Sequence, residues 1–114
     1  MKDIFQKAND FFDMSPFEIN CGDCIFWASL VVHAIPGAEF WDSGVTEAFL
    51  VGDEPYHAFV KISDLFYDAE CHEGVTDHNN LPFFQREGKV TAYHQPNFKD
   101  NWRNHRRDCP TVVL

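Results

Sequence analysis

No apolar run in the chain approaches the roughly 18 residues that a membrane-crossing helix needs, so no spanning segment and no membrane partner is expected. The first residues, MKDIFQKANDFFDM, lack the basic-then-apolar pattern of an export signal and mix acids with aromatics. Internal repeats, low-complexity tracts and linker-like stretches are missing too. Positive charge is scarce: 9 Lys and Arg stand against 18 Asp and Glu, for a net charge of −9. The shortage is uneven, with 15 acids and 3 bases in residues 1–80 but 3 acids and 6 bases in residues 81–114. An acidic body argues against general nucleic-acid binding, because phosphates demand a cationic surface. Cysteine is limited to Cys21, Cys24, Cys71 and Cys109. Without an export signal, these are expected to be reduced thiols in the cytoplasm and not a disulfide framework.

What the chain does have is length enough for one domain, residues 1–114, and material for a core. Apolar residues make up 45% and aromatics 16%; with 12 Phe and 3 Trp, that core is expected to be built on rings. Ile4, Phe5, Ala8, Phe11 and Phe12 recur at helical spacing, which predicts an amphipathic helix over 2–14, broken or recapped at Ser15-Pro16. Residues 25–32 are apolar almost all round and read as a buried helix ending before Pro36-Gly37. Asp23 is placed as its N-cap, which puts Cys24 in the first turn. A strand is expected near 46–51, then a loop over 52–55. Residues 57–62 and 65–70 alternate about Ser63-Asp64 and predict a β-hairpin. Residues 71–80 are polar, 81–84 are expected to pack a short turn on the core, and 89–94 and 112–114 are further strand candidates. The class is α+β, with N-terminal helices packed on a small antiparallel sheet.

A nucleophilic thiol reacts as its thiolate, and a helix N-terminus favours negative sulfur through its unpaired N–H groups and dipole. The same groups can hold the oxyanion of a tetrahedral intermediate. Gly22 leaves room for a substrate to approach. Such a thiol needs a base, and the base needs an orienter. With the turn centred on Ser63-Asp64, paired positions sum to 127, so His57, Asp68 and Glu70 share one sheet face. His57 and Asp68 then form a diagonal pair with Cα atoms roughly 7–8 Å apart. The opposite face carries Ala58, Val60, Ile62, Leu65, Tyr67 and Ala69.

The segment Asn20-Cys21-Gly22-Asp23-Cys24-Ile25-Phe26-Trp27-Ala28 resembles the active-site segment of papain-like cysteine peptidases, in which Cys-Gly-x-Cys precedes an aromatic residue and an Ala. Residues 57–60 and 65–69 resemble the His and Asp strands of the wider papain-like group, which includes transglutaminase-like and cell-wall endopeptidase-like proteins. The resemblance covers about residues 20–70. It implies a minimal papain-like core with Cys24 as nucleophile, His57 as base and Asp68 as orienter. The chain departs from papain in carrying Glu18 where the family has the Gln that donates to the oxyanion; Asn20 is the substitute candidate, and Asp23 and Glu70 are accessory candidates. The implied activity is a cysteine hydrolase or acyltransferase acting on an amide, isopeptide or thioester bond of a protein or peptide substrate, with no cofactor and no metal.

Other constellations weigh less. Cys21 and Cys24 form one half of a zinc site, with Cys71-His72 or Cys109 to complete it, but a second half of matching spacing is missing. Cys21-Gly22-Asp23-Cys24 resembles a redox dithiol but lacks the preceding strand of a βαβ frame. The remaining His show no ligand spacing, and His33 on the apolar helix is expected to be hydrogen-bonded. The basic cluster Lys99, Arg103, Arg106 and Arg107 is expected to be solvated or to lie across the acidic body. The alternative function is a catalytically degenerate domain acting as an acidic binding or inhibitor module.

Overall fold

The computed structural model describes residues 2–43 and 56–96. The strand expected near 46–51, the loop at 52–55, the basic cluster, Cys109 and residues 112–114 lie outside the described residues.

Three helices open the chain: α1 (Lys2–Phe11), α2 (Pro16–Gly22) and α3 (Cys24–Ala34). The first is shorter than its periodicity predicts, because Phe12 N–H turns back to the Asn9 carbonyl at 3.1 Å and ends the helical run. The next begins on a complete capping box: Glu18 N–H donates to Ser15 Oγ, Ser15 N–H donates to the Glu18 carboxylate, and Pro16 takes the first position. Asp23 alone separates α2 from α3. Its N–H donates to the Ile19 carbonyl at 2.8 Å while its own carbonyl accepts from Trp27 N–H at 3.0 Å. Asp23 therefore occupies the N-cap position, but its side chain makes no capping bond, contrary to its expected role. Its φ of −118° and ψ of 21° serve the junction of two helices. No described helix is long and apolar enough to cross a membrane.

Among the described residues, five antiparallel strands form one sheet in the order β4-β3-β2-β1-β5: β1 (Glu39–Asp42), β2 (Ala58–Ile62), β3 (Leu65–Asp68), β4 (Cys71–Val75) and β5 (Tyr93–His94). The hairpin register is Val60 opposite Tyr67, Lys61 opposite Phe66 and Ile62 opposite Leu65, the pairing the two-residue turn predicts. Ser63 makes that turn at φ 56°, the left-handed region a tight hairpin requires. A 3₁₀ turn (His78–Asn80) and a short helix α4 (Pro82–Glu87) follow β4.

Both sheet faces are covered. Helices α1 and α3 lie on one, where Phe5, Trp27 and Val31 pack against Ala58, Val60 and Tyr67, with Ile62 and Leu65 at the margin. On the other, Phe59 and Phe66 meet Leu81, Phe83 and Phe84 from the α4 segment. Each fully buried side chain of this kind contributes about 1.5–3 kcal/mol, so α4 is held chiefly by its two Phe and Leu81. The molecule is thus α+β with its N-terminal helices on an antiparallel sheet. Strands β1 and β4 carry no clear strand signal in the sequence. The latter is a polar edge strand whose Gly74, at φ 86°, lets the Tyr67 ring lie against the backbone.

Candidate active site

Cys24 is the first residue of α3 and is 7% exposed. Its Sγ accepts a long hydrogen bond, 3.5 Å, from the backbone N–H of Ala58, the residue after His57. The thiol therefore sits where the start of α3 meets the start of β2. His57 immediately precedes that strand, and its backbone is pinned there: its N–H donates to Ser43 Oγ at 2.9 Å and its carbonyl accepts from Ser43 N–H at 3.1 Å.

The imidazole of His57 is fully buried, with Nε2 2.9 Å from Asp68 Oδ2. Asp68, also fully buried, ends β3. Its second oxygen, Oδ1, accepts from the backbone N–H groups of Glu70 at 2.9 Å and Cys71 at 2.8 Å. Those two bonds fix the carboxylate plane, and the carboxylate in turn fixes the imidazole. With Nε2 engaged, Nδ1 is the nitrogen left for Cys24. It is buried and has no partner in hydrogen-bonding geometry, so the sulfur is a close neighbour of the ring and not a formed acceptor.

The ring environment decides its charge. Burial is the strongest influence and disfavours the imidazolium. The hydrogen bond to Asp68, the interaction with Cys24 and the negative charge of both outweigh it and push His57 up to about 9. The ring therefore carries its proton at neutral pH. Phe83 stacks flat on it, centroids 4.3 Å apart and planes 16° from parallel, while Phe59 and the edge-on Phe84 close the remaining sides.

The accessory candidates lie close by in other roles. Asn20 Nδ2 donates to Glu70 Oε1 at 2.8 Å, so at least one of its protons serves the fold. Glu70 also takes a two-pronged bond from Arg86 of α4, at 2.9 and 2.7 Å, and the guanidinium lies over the Phe17 ring at 4.6 Å. The carboxylate of Glu18 caps α2, and that backbone bond from Ser15 holds it below its ordinary pKa.

Sequence reasoning missed Asn9, Ser43, Phe83 and Arg86. Asn9 bonds the Ala69 carbonyl at 3.0 Å and accepts from the Trp27 indole N–H, tying α1 to α3 and to the turn after Asp68. A polar residue within the buried stripe of α1 was its available signal. The other three depend on long-range contacts that no local pattern marks.

Cys21, Cys24 and Cys71 are free thiols, and burial pushes Cys71 up from its ordinary pKa. Among the described residues no group of three or more His, Cys, Asp or Glu side chains is placed to hold a metal ion. His33 Nδ1 lies 2.8 Å from the Ser29 carbonyl. A cleft of about 660 Å³ runs between the α1–α2 connection and the turn from β3 to β4, lined by Asn9, Phe17, Glu70 and His72 among others. Neither Cys24, His57 nor Asp68 lines it. No family model, curated protein sequence or solved structure matches the chain.

Proposed function

We propose that this protein is a cysteine hydrolase or acyltransferase of papain-like layout that acts on an amide, isopeptide or thioester bond of a protein or peptide in the reducing cytoplasm. One observation carries the reading: a buried imidazole held by a carboxylate on Nε2, with its other nitrogen unpartnered beside a cysteine at a helix start. With the proton held at Nδ1 of the imidazolium, the Cys24 sulfur attacks as thiolate on the carbonyl carbon of the scissile bond. Charge moves to the carbonyl oxygen, which backbone N–H groups at the start of α3 can stabilise. His57 then returns the proton to the leaving amine or thiolate, and the C–N or C–S bond breaks to leave a thioester on Cys24. Water, or an acceptor amine in the transfer case, gives its proton to His57 and attacks that thioester; the C–S bond breaks and releases the Cys24 thiolate beside the protonated ring. Asp68 keeps Nε2–H in place throughout.

A second reading has its own observation. His57 and Asp68 have no exposure, and Cys24 has 7%, whereas the open cleft lies beside them and has the half-exposed Phe17 on its wall. A binding module with an inherited, silent triad fits that closure.

Iodoacetamide labelling across pH, with each thiol mapped by mass spectrometry, separates the two. The enzyme reading expects Cys24 to be alkylated at neutral pH at least tenfold faster than Cys71, and His57→Ala to abolish that advantage. Equally slow labelling of Cys24 and Cys71, unchanged in His57→Ala, assigns the protein to the binding class.

A further inference from the structure

We infer that Glu70 is a positioning residue for the Cys24–His57 pair, acting through Asn20 on the nucleophile's side and through Arg86 on the helix that covers the base. The inference rests on the catalytic reading above and adds a residue to it. Glu70 is two residues beyond Asp68, and its N–H is one of the two that hold Asp68 Oδ1. Its side-chain oxygen Oε1 accepts from Asn20, a 2%-exposed residue one turn ahead of Cys24. The same carboxylate grips both terminal nitrogens of Arg86. Arg86 is one turn beyond Phe83, the residue stacked on the imidazole. Asn20, four residues ahead of Cys24, and Arg86, on the helix that covers His57, therefore converge on one carboxylate two residues beyond Asp68.

Magnitudes favour a positional role over a stabilising one. The Arg86 side chain is 35% exposed, and ion pairs of that exposure add little to stability. A planar, two-pronged bond is nonetheless strongly directional. Loss of Glu70 leaves α4 anchored by Leu81, Phe83 and Phe84 but frees its angle, and with it the plane of the imidazole. Among the described residues the charged groups that face His57 are Asp68 from β3 and Cys24 from α3, while Phe59 of β2 and Phe83 and Phe84 of α4 present rings.

The test compares Glu70→Gln, which keeps an acceptor for Asn20 but drops the charge on Arg86, with Glu70→Ala and with Glu70→Ala/Arg86→Ala. The double variant removes the stranded guanidinium, which otherwise acts on Asp68. Two readouts are used in the full chain: the pH profile of Cys24 alkylation by iodoacetamide, and titration of the His57 ring by NMR. Glu70→Ala should slow alkylation at neutral pH at least tenfold and lower the His57 titration midpoint. The double variant should do the same, and Glu70→Gln should fall between parent and Glu70→Ala. Unchanged alkylation profile and unchanged His57 midpoint in folded Glu70→Gln and Glu70→Ala/Arg86→Ala overturn the inference, whatever happens to Tm. If Cys24 of the parent protein proves no faster than Cys71, the catalytic reading fails by itself, and the His57 midpoint alone decides whether Glu70 positions the ring.

Discussion

At the scale of the residue, the decisive quantity is the charge on His57. Burial alone would favour the neutral ring; Asp68 and Cys24 reverse that and hold the ring protonated up to about pH 9. Asp68→Asn keeps the shape and removes a negative charge, so it should move the His57 midpoint below that of the parent protein in a ring-proton NMR titration. Cys24→Ala should shift it in the same direction through the other partner. A midpoint that stays near 9 in both variants would mean that neither neighbour sets the charge. The hydroxyl of Ser43 matters at this scale as well, since it meets the backbone N–H of His57 where the chain enters β2.

At the scale of the element, two glycines carry opposite meanings. Gly74 in β4 sits at φ 86°, and a Cβ there would lie 2.7 Å from the Tyr67 ring. Gly74→Ala should cost roughly 1–3 kcal/mol in urea unfolding, from backbone strain and the displaced ring together. At the end of α2, Gly22 has nothing within 4 Å of an added Cβ. Gly22→Ala should leave stability unchanged or raise it by up to about 1 kcal/mol. If that variant nevertheless slows alkylation of Cys24 by a bulky maleimide more than by iodoacetamide, the open space at Gly22 is the approach to the sulfur. Asp23 is the one residue between helices α2 and α3, so a change at Gly22 lies next to the helix start that presents the thiol.

For the whole molecule, the buried His57 ties stability to pH. Its folded value of about 9 lies above the unfolded value of about 6.5. Its contribution is therefore complete below about pH 6.5, declines as pH rises, and is gone above about 9. The shift corresponds to at most on the order of 3 kcal/mol. Urea midpoints measured from pH 6 to 10 should fall across that window, and His57→Gln should flatten the slope. A parent profile as flat as that of the variant would refute the linkage. The acidic net charge of −9 acts separately and responds to salt, so the comparison belongs at fixed ionic strength.

Local patterns carried much of this architecture. Helical spacing marked α1, the continuous apolar run marked α3, and alternation about Ser63-Asp64 marked the central hairpin with its register. A side-chain period of two puts Ala58, Val60 and Tyr67 on one face and His57 and Asp68 on the other, while the register itself follows from the two-residue length of the turn at Ser63-Asp64. Strands β1 and β4 were not legible: Glu39–Asp42 and Cys71–Val75 become strands because neighbours offer them hydrogen bonds, not because their residues prefer extension. The stacking of Phe83 on His57 and the grip of Arg86 on Glu70 likewise join residues 26 and 16 positions apart in the chain. Residue order alone determined which thiol opens a helix and which histidine and aspartate share a sheet face, since both follow from local periodicity. Only the tertiary structure decided what seals the imidazole and braces its neighbours, because those contacts exist only after the distant segments have packed.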